Sequence, residues 1–593
     1  MDYKLDKNSG VWIRNSFLGT NYSDGFKIEN YIYKLLSKTK DLSINSRELK
    51  SFCKNWVLTY HLSQHRANIL RPLGRDLNNL DILEIGSGCG AISRYLGESN
   101  CNLTSLEGSF FRAKITRERC RDLKNVKIIC DKLDNFQSKK KFDIITIIGV
   151  LEYSSLFSNS KDEPQRTLKQ IYSLLKNDGF LVIAIENKLG LKYFAGYKED
   201  HIGKTMYGIE DRYLKTGVRT FGRFEINNLL IKSGFQNNYF MYPFPDYKFP
   251  NSIITENGLN NEEFDPQYLI ALSANRDRQK PNITSFEQIY AWESIYKNKL
   301  VRDLSNSFLI LCSKKENKKF TQNSNLLAFY YRNERESGFK NELVFREDNK
   351  NNVVVSEFDS EDKNTYNLLN DSKNLKPFKD ECFIKGRPLI FVLMDILKRD
   401  NWKMIDLKNF FISYKEYIYE NNKGLNENNF GSNTNDFKVE KDLIDATLWN
   451  IIETDNKKYN LFDKEFEHDK DLFFSFLLFR NLYYLKDFIP QLGYPSNKKI
   501  KTWGRFTKEV FYSLNLNYSE KIISLFIKKE NNFHKIATGN YLFRNFLSSY
   551  LAVMRFTNKK INYGSGFDIL NLKANFISII LKKIIIKLRV ILT

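Results

Sequence analysis

A run of small residues follows directly after an apolar segment near residue 80. The apolar segment reads LDILEI over residues 80–85, and residues 91–96 have the composition of a helix start. The five residues between them are Gly86, Ser87, Gly88, Cys89 and Gly90. A strand, a glycine-rich turn and a helix let the backbone approach a ligand closely, because glycine carries no Cβ. This arrangement predicts a binding turn for a nucleotide-like ligand, with an ordinary βα loop as the alternative.

Two acidic residues near this turn narrow the choice of ligand. Glu84 makes the pattern E-x-G-x-G-x-G, which differs from the G-x-G-x-x-G of dinucleotide sites. A carboxylate beside the turn repels a pyrophosphate and attracts a cation. Glu107 ends another short apolar segment about 20 residues later. A carboxylate at this position can accept hydrogen bonds from both hydroxyls of a ribose. These positions predict S-adenosylmethionine (SAM), with Glu84 facing its positive end, and a dinucleotide is the alternative.

The elements that position these residues are strands that alternate with helices from residue 80 to about 240. The predicted strands are Ile82–Ile85, Leu103–Leu106, Val126–Cys130, Phe142–Gly149 and Gly179–Ile185. This alternation predicts a parallel sheet with helices on both faces, in which ligands bind at the carboxyl ends of the strands. The residues just past the later strands are therefore further candidates: Asp131, Gly149, Leu151, Glu152 and Glu186. Asp131 follows its strand directly and would accept a hydrogen bond from an adenine amino group, or else cap a helix.

The segment before the glycine turn is predicted to be a helical cap over residues 1–75. Helices in this position commonly cover a cofactor, which would bring Tyr60, His61 and Arg66 close to it. A packing role for each of these three side chains is the alternative.

The acceptor half of a site is expected in the loop after the fifth strand, residues 185–204. Glu199, Asp200 and His201 form its densest acid/base cluster. His201 would take a proton from an acceptor hydroxyl while a carboxylate orients the ring, or it is a solvated loop histidine. Residues 250–300 read as an insertion, and Ser307–Cys312 as a last strand, so this domain is predicted to span 76–316.

Several of these motifs, in this order, resemble class I SAM-dependent methyltransferases of the bacterial surface-polysaccharide and O-antigen type. The resemblance covers residues 50–316 and rests on YHLS with Arg66, EIGSGCGAISRYLGE, GVLEY, residues 185–200 and residues 242–248. It implies a Rossmann-like, doubly wound, mostly parallel sheet and direct methyl transfer from SAM without a metal. It also implies a sugar or sugar phosphate as acceptor, and glycosyltransferases as partners.

The second half contains a different spacing that could do chemistry. Asp445 precedes Asn450 by five residues, as in the catalytic loop of kinases, and Asp463 follows where a metal-binding Asp would lie. Asp445 would then orient a hydroxyl, while Asn450 and Asp463 would hold Mg²⁺ beside ATP. Predicted strands precede them at Leu326–Tyr331, Glu342–Phe345 and Val353–Phe358.

This half resembles the α+β kinase-like lobe of methyltransferase–kinase fusions that terminate O-antigen chains, with predicted bounds of 320–500. Three features depart from active kinases: no His-Arg pair precedes Asp445, no Lys lies in the third predicted strand, and no complete Gly-rich loop is present. A degenerate, structural lobe is therefore an alternative to an active kinase. A hairpin with capping Asp and Asn residues is another alternative.

Composition bounds the remaining function classes. The chain has 593 residues and a formal net charge of +22, which fits an acidic partner or a solvated, lysine-rich surface. Nucleic acid is not expected as a partner, because the sequence shows no RNA-binding module. The seven cysteines lack a C-x-x-C pair, which is typical of reduced thiols in the cytoplasm.

Residues 501–593 are predicted to be helical. Their basic, apolar end at 570–593 would lie on the inner face of the membrane or dock on protein.

Overall fold

The computed structural model describes residues 3–14, 19, 23, 25–74, 77–157, 162–214, 217–315, 325–332, 342–357, 380–422, 435–464, 472–538 and 552–556. Its main feature is one 14-stranded mixed sheet with helices on both faces. The strands of this sheet are β1 Tyr3–Asp6, β2 Val11–Arg14, β3 Asp81–Ile85, β4 Asn102–Glu107, β5 Val126–Cys130, β6 Phe142–Ile148, β7 Leu175–Glu186, β8 Asn237–Phe244, β9 Ser252–Thr255, β10 Ser307–Ser313, β11 Leu326–Tyr331, β12 Glu342–Glu347, β13 Val353–Glu357 and β14 Glu381–Cys382.

Two smaller sheets lie in the second half. They contain β15 Arg387–Pro388, β16 Lys438–Val439, β17 Ile451–Glu453, β18 Tyr459–Leu461 and β19 Leu472–Phe473.

Seventeen α-helices occur within the described residues. They are α1 Phe26–Lys38, α2 Arg47–Phe52, α3 Trp56–Leu62, α4 Ala91–Glu98, α5 Phe110–Arg119, α6 Glu163–Leu174, α7 Leu191–Phe194, α8 Arg223–Lys232, α9 Glu256–Asn260, α10 Gln267–Ala274, α11 Gln288–Lys297, α12 Val301–Leu304, α13 Leu389–Leu397, α14 Met404–Glu420, α15 Phe474–Phe488, α16 Trp503–Ser513 and α17 Glu520–Thr538. Short 3-10 turns at Gln64–Ile69, Leu151–Phe157 and Lys441–Asp445 carry candidate site residues.

The strand order explains where a ligand can bind. The sheet runs β1-β2-β5-β4-β3-β6-β7-β10-β8-β9-β11-β12-β13-β14, and all neighbours from β2 to β7 in this order are parallel. The chain order reverses between β3 and β6, which creates a crevice at the carboxyl ends of these two strands. β10 is antiparallel to both β7 and β8. The predicted α/β fold with a mostly parallel central sheet is thereby confirmed.

Continuous apolar runs form the central strands because helices cover both faces of the sheet. All seven residues of β10, SFLILCS, are buried, and so are the last five of β6. Separate apolar clusters lie on the two faces. Ile145 and Ile183 belong to one of them, and Ile144 and Val182 to the other.

Two segments contain regular structure that the sequence did not predict. Residues 3–14 form the β1–β2 hairpin, which pairs with β5, and the predicted cap over 1–75 is helical only from Phe26 onward. Residues 250–300 contain β9 and the helices α9 to α11. β9 pairs with β11, so the strands of the second half extend the same sheet. The kinase-like character of residues 320–500 stays a prediction.

The C-terminal region is described in part. Residues 503–513 and 520–538 form α16 and α17, and the helical character of residues 501–593 as a whole stays a prediction. The basic segment 570–593 lies outside the described residues.

Candidate active site

The glycine turn between β3 and α4 adopts a conformation that requires glycine. Gly86, Gly88 and Gly90 have φ values of +79°, +56° and +82°. A Cβ on Gly86 would lie 2.4 Å from Cγ2 of Val150, because the turn packs against the end of β6. A Cβ on Gly88 would meet no atom within 4 Å, so this part of the turn faces open space. The turn is therefore fixed on one side and open for a ligand on the other.

Glu107 lies beside the open part of the turn, at the end of β4. Its Oε2 accepts a hydrogen bond from the backbone N–H of Gly88 (2.8 Å), and its Oε1 accepts one from the N–H of Ser109 (2.9 Å). Burial raises the pKa of this carboxyl above its usual value. Two backbone donors thus hold Glu107 at the rim of the turn, where the sequence predicted a ribose-binding carboxylate.

Glu84, near the end of β3, is buried and bonded to protein side chains, so it does not lie open to a ligand as Gly88 does. Its Oε2 accepts hydrogen bonds from the hydroxyls of Ser93 (2.5 Å) and Ser105 (2.6 Å). Burial raises its pKa to about 7, although both serine contacts favour the carboxylate. Its predicted contact with the positive end of SAM stays a prediction.

Asp131 is engaged by the N-terminal hairpin, which the sequence reasoning did not place. Arg14 contacts both carboxylate oxygens (3.0 and 3.2 Å), the hydroxyl of Tyr3 donates to Oδ2 (2.8 Å), and the N–H of Lys132 donates to Oδ1 (2.9 Å). Four donors use the usual acceptor capacity of a carboxylate. An adenine amino group would therefore have to share or replace one of them.

The residues of α3 and the following 3-10 turn contact the segment that follows β8. The guanidinium carbon of Arg66 lies 4.3 Å from the centre of the Tyr60 ring and 5.8 Å from that of Tyr247. Arg66 also donates to the carbonyl of Lys248 (3.1 Å). His61 is buried, and desolvation lowers its pKa to about 3, so it is a neutral ring.

Gly149, directly after β6, packs closely against Tyr247 in the segment after β8. Its φ is +68°, and a Cβ there would lie 2.5 Å from the hydroxyl of Tyr247. Leu151, the other candidate of this turn, is 1% exposed and belongs to the core on one face of the sheet.

Three buried ionisable side chains meet at the ends of neighbouring strands: Glu152 after β6, Glu186 at the end of β7, and His201. The Nε2 atom of His201 lies 3.3 Å from Oε2 of Glu186 and 3.9 Å from Oε1 of Glu152. Its Nδ1 is 2.9 Å from the hydroxyl of Tyr153. These three residues form the acid/base cluster of the site.

The charge states in this cluster follow from burial and mutual contact. Burial alone would lower the pKa of His201, but Glu186 and then Glu152 raise it to about 9. Burial, reinforced by Glu186, raises the pKa of Glu152 to about 8. Burial also opposes ionisation of Glu186, yet Lys248 and His201 outweigh it and lower its pKa. The imidazole is thus protonated at neutral pH and would act as a base only after losing this proton.

The carboxylate partner of His201 differs from the two that its sequence neighbours suggested. Oε2 of Glu199 accepts hydrogen bonds from the backbone N–H groups of His201 and Ile202 (2.9 and 2.5 Å). Asp200 forms ion pairs with Lys192 (2.9 Å) and Lys248 (3.1 Å). Glu199 therefore shapes the loop, Asp200 belongs to a buried ion cluster, and Glu186 contacts the ring.

Lys192 and Lys248 are site residues that the sequence reasoning missed as individual candidates. Lys248 lies 2.8 Å from Oε1 of Glu186 and 3.2 Å from Oδ2 of Asp246. Lys192 contacts Asp246 as well (3.3 Å). Buried lysines are rare in any protein, so the sequence offers no reason to expect these two in the interior. The only signal available was their position in charged motifs after β7 and β8.

A cavity of about 390 Å³ lies between residues 251–276 of the first half and residues of the second half. Its lining includes all three kinase-like candidates, Asp445, Asn450 and Asp463. Nδ2 of Asn450 donates to the carbonyl of Asp445 (3.1 Å), which fixes the loop between them. Arg332, which follows β11, forms a buried ion pair with Asp463 (2.6 Å). Sequence spacing placed the three candidates together, but it did not find Arg332.

The sequence comparison agrees with the first of these two sites. Residues 83–181 match the protein family described as a methyltransferase domain. The match begins in β3 and ends in β7, so it contains the glycine turn, Glu107, Asp131 and Glu152. This chain contains a SAM-dependent methyltransferase domain.

Solved structures with similarity to the chain include several methyltransferases. A possible histamine N-methyltransferase from Thermotoga maritima has 16% identity and a TM-score of 0.26, covering 44% of this chain and 93% of its own. Phosphoethanolamine N-methyltransferase 2 of Haemonchus contortus has 15% identity and a TM-score of 0.28, covering 48% and 57%. Magnesium protoporphyrin IX methyltransferase from Synechocystis has 13% identity and a TM-score of 0.25, covering 35% and 84%. No curated protein matches the chain. The assignment rests on the matched domain and on the site geometry.

Proposed function

We propose that this methyltransferase modifies a hydroxyl of a sugar, or of a sugar phosphate, during synthesis of a bacterial surface polysaccharide. The observation that carries the proposal is the Glu152–Glu186–His201 cluster at the carboxyl ends of β6 and β7, in the sheet that also carries the glycine turn. A hydroxyl acceptor must lose a proton when it is methylated, so it needs such ionisable groups near the transferred methyl. The resemblance of residues 50–316 to O-antigen methyltransferases supports a sugar as the acceptor.

The described residues fit SAM on one structural test. The open space above Gly88 lies next to the carboxylate of Glu107, whose acidic oxygens suit two ribose hydroxyls. The Gly86–Gly90 turn and Glu107 would hold the cofactor, with Gly149, Leu151 and Glu152 at its acceptor end. When bound, SAM supplies an activated methyl group for direct in-line displacement.

The protein's own side chains would supply position and proton transfer. Arg66, Tyr60 and Tyr247 form a packed wall at the acceptor end. Because Glu152, Glu186 and His201 are buried, the acceptor would be transferred from water into an enclosed site where charges interact strongly. Holding the acceptor oxygen in line with the methyl group accounts for most of the expected acceleration.

Methyl transfer to polysaccharide is the direct test. The protein is incubated with SAM labelled in its methyl group and with separate polysaccharide, RNA and small-amine fractions of the source cells. Label is expected in the polysaccharide as an O-methyl ether or a methyl phosphate. His201→Gln should slow this reaction about 100-fold or more, the usual contribution of a positioned acid or base. Label confined to RNA or to small amines would contradict the proposal.

A phosphoryl-transfer activity of the second half is a second candidate. Asp445, Asn450 and Asp463 line one cavity, as residues that orient a hydroxyl and hold Mg²⁺ beside ATP must do. The chain would then be a bifunctional methyltransferase–kinase that terminates polysaccharide chains. The Arg332–Asp463 ion pair favours a degenerate lobe instead, because it engages Oδ2 of the carboxylate that Mg²⁺ would need.

ATP turnover separates these alternatives. An active kinase predicts Mg²⁺-dependent transfer of the γ-phosphoryl group to the acceptor, lost in Asp463→Ala and retained in Asp455→Ala, a change in the turn after β17. No transfer in the wild-type protein, or transfer that survives Asp463→Ala, would leave the second half as a scaffold.

The proposed partners are glycosyltransferases, and the proposed location is the inner face of a membrane. No helix of the described residues is long and apolar enough to cross a bilayer. Peripheral contact is proposed for residues 570–593, which lie outside the described residues. Removal of these residues should abolish co-sedimentation with anionic vesicles, and unchanged co-sedimentation would contradict this part.

A further inference from the structure

We propose that Glu152, Glu186 and His201 together bind one divalent metal ion at the acceptor end of the methyl-transfer site. The proposal deepens the proposed function, and rests on it for the identity of the acceptor. It departs from the sequence-based expectation that the reaction needs no metal.

The spacing of the three side chains matches a shared ion. One ligand atom from each residue lies within 4.8 Å of the other two. Ligand atoms that surround Mg²⁺ or Mn²⁺ at about 2.1–2.2 Å are separated by about 3 Å when adjacent and about 4.3 Å when opposite. The observed separations of 3.3 and 3.9 Å from Nε2 of His201 fall inside this range. Small side-chain movements would therefore complete the coordination.

Glu152 provides an independent reason to expect a ligand. Its side chain is 0% exposed, and neither carboxylate oxygen has a hydrogen-bond partner among the described residues. A buried carboxyl group without hydrogen bonds is unfavourable, because burial has removed its contacts with water. By contrast, Glu107 and Glu84 each accept two hydrogen bonds. A cation between Glu152 and its neighbours would supply the missing interaction.

The surrounding contacts orient the other two ligands as in known metal sites. The Tyr153 hydroxyl contacts Nδ1 of His201, so Nε2 is the nitrogen that faces the cluster. Lys248 pairs with Oε1 of Glu186, which leaves Oε2 as the single coordinating oxygen. Such outer partners commonly fix the orientation of metal ligands. Lys248 also limits the net negative charge, so one ion rather than two is expected.

The ligand types indicate the class of metal and of acceptor. Two carboxylates and one imidazole favour Mg²⁺, Mn²⁺ or Fe²⁺ over softer ions, and three protein ligands leave coordination positions open. An acceptor with two neighbouring oxygens, such as a vicinal diol or a hydroxyl beside a phosphate, would occupy them.

The methyl transfer then needs no reagent other than the acceptor, SAM, the metal ion and water. Coordination lowers the pKa of the acceptor hydroxyl, as it does for metal-bound water, and its proton passes to solvent water. The acceptor oxygen bonds to the methyl carbon while the carbon–sulfur bond breaks, and sulfur keeps the electron pair.

Manganese binding to the full chain tests the proposal without any acceptor. After dialysis against a chelator and then its removal, Mn²⁺ alone is titrated by calorimetry and by electron paramagnetic resonance. One Mn²⁺ per chain is expected, with affinity reduced at least about tenfold in Glu152→Gln and in His201→Gln. The control is Glu163→Gln, because Glu163 is a 2% exposed carboxylate that also has one oxygen without a hydrogen bond but belongs to no group of metal-ligating side chains among the described residues.

Three results would overturn the metal site. The first is the absence of stoichiometric Mn²⁺ binding to the wild-type chain, and the second is equal binding by Glu152→Gln, with cooperative thermal unfolding as the check that each variant is folded. Undiminished methyl transfer in excess chelator would also overturn it while leaving the methyltransferase assignment intact. Stoichiometric Mn²⁺ binding without methylation of any polysaccharide would instead contradict only the proposed acceptor.

Discussion

Buried ionisable side chains dominate the site at the scale of single residues. His61 is buried next to Arg66 and Arg112 and stays neutral, whereas His201 is protonated between two carboxylates. The same residue type thus has different charge states in the two places, because burial keeps His61 neutral whereas the neighbouring carboxylates outweigh burial at His201. This contrast predicts how each ring responds to pH.

His61 should make the fold sensitive to acid. Its folded pKa is about 3, well below the usual value near 6.5. Its contribution to stability is therefore complete above about pH 6.5 and decreases as the pH falls toward 3, by at most about 1.4 kcal/mol per pH unit. Urea unfolding at pH 7 and pH 5 should show a smaller pH effect in His61→Gln than in the wild-type chain.

The matched control for this prediction is His534→Gln on α17, which should keep the pH effect of the wild-type chain. An identical pH effect in His61→Gln and in the wild-type chain would show that His61 does not remain neutral in the folded state.

Residue types and spacing were sufficient to predict that the glycine turn and Glu107 lie side by side. The glycine turn and Glu107 belong to one β-α-β unit, so their separation along the chain fixes their separation in space. Asp131 binds Arg14 from 117 residues away, and Arg66 contacts Lys248 across 182 residues. Such partners depend on how distant elements pack, and no local pattern encodes them.

The glycine turn gives the sharpest prediction at the scale of elements. Gly88→Ala places a methyl group in the open space of the turn without a clash with protein atoms. Its φ of +56° adds about 1–2 kcal/mol of backbone strain. We expect SAM affinity to fall at least about tenfold while the protein remains folded, as measured by calorimetry and thermal unfolding.

Gly74→Ala is the control for backbone strain. Gly74 has a φ of +79° and an equally open Cβ position, but it follows a 3-10 turn outside the cofactor crevice. This variant should lose similar stability and keep its SAM affinity. Equal SAM affinity in both variants would show that the ligand does not approach Gly88.

The central strands could be predicted because each is a continuous apolar run, and β5 was predicted with its observed bounds, Val126–Cys130. The β1–β2 hairpin could not, since its strands have four residues each, and β1 has no buried residue. Its stability depends on pairing with Ile129 and Cys130 of β5. Strands of this kind are determined by tertiary contacts rather than by their own sequence.

The whole molecule is connected through one sheet. β9 pairs with β8 on one side and with β11 on the other. Phe264 packs against Phe345 and Phe383, with ring centres 5.3 and 5.2 Å apart. The methyltransferase region and the strands of the second half therefore share a hydrophobic core.

Removal of a shared core side chain should destabilise both halves together. Phe264→Ala is expected to cost about 3–5 kcal/mol and to lower a single calorimetric transition. Phe224→Ala, at a position that is 76% exposed, should change stability little. Two transitions, of which only one shifts in Phe264→Ala, would indicate that the halves unfold independently.

Domain bounds were the least predictable property at this scale. The polar run from residue 314 to 319 reads as a linker, and the predicted boundary at 316–320 stays a prediction. The β9–β11 pairing across this run depends on strand register, and lysine-rich composition carries no information about register.

The central claim is that the glycine turn and Glu107 bind SAM, and calorimetry with Glu107→Ala tests it most directly. Glu118→Ala on α5 is the matched control, because it removes the same side chain outside the crevice. Loss of two hydrogen bonds to a charged acceptor should weaken SAM binding about 100-fold or more. Wild-type affinity in Glu107→Ala, with Glu118→Ala unchanged as well, would contradict the account.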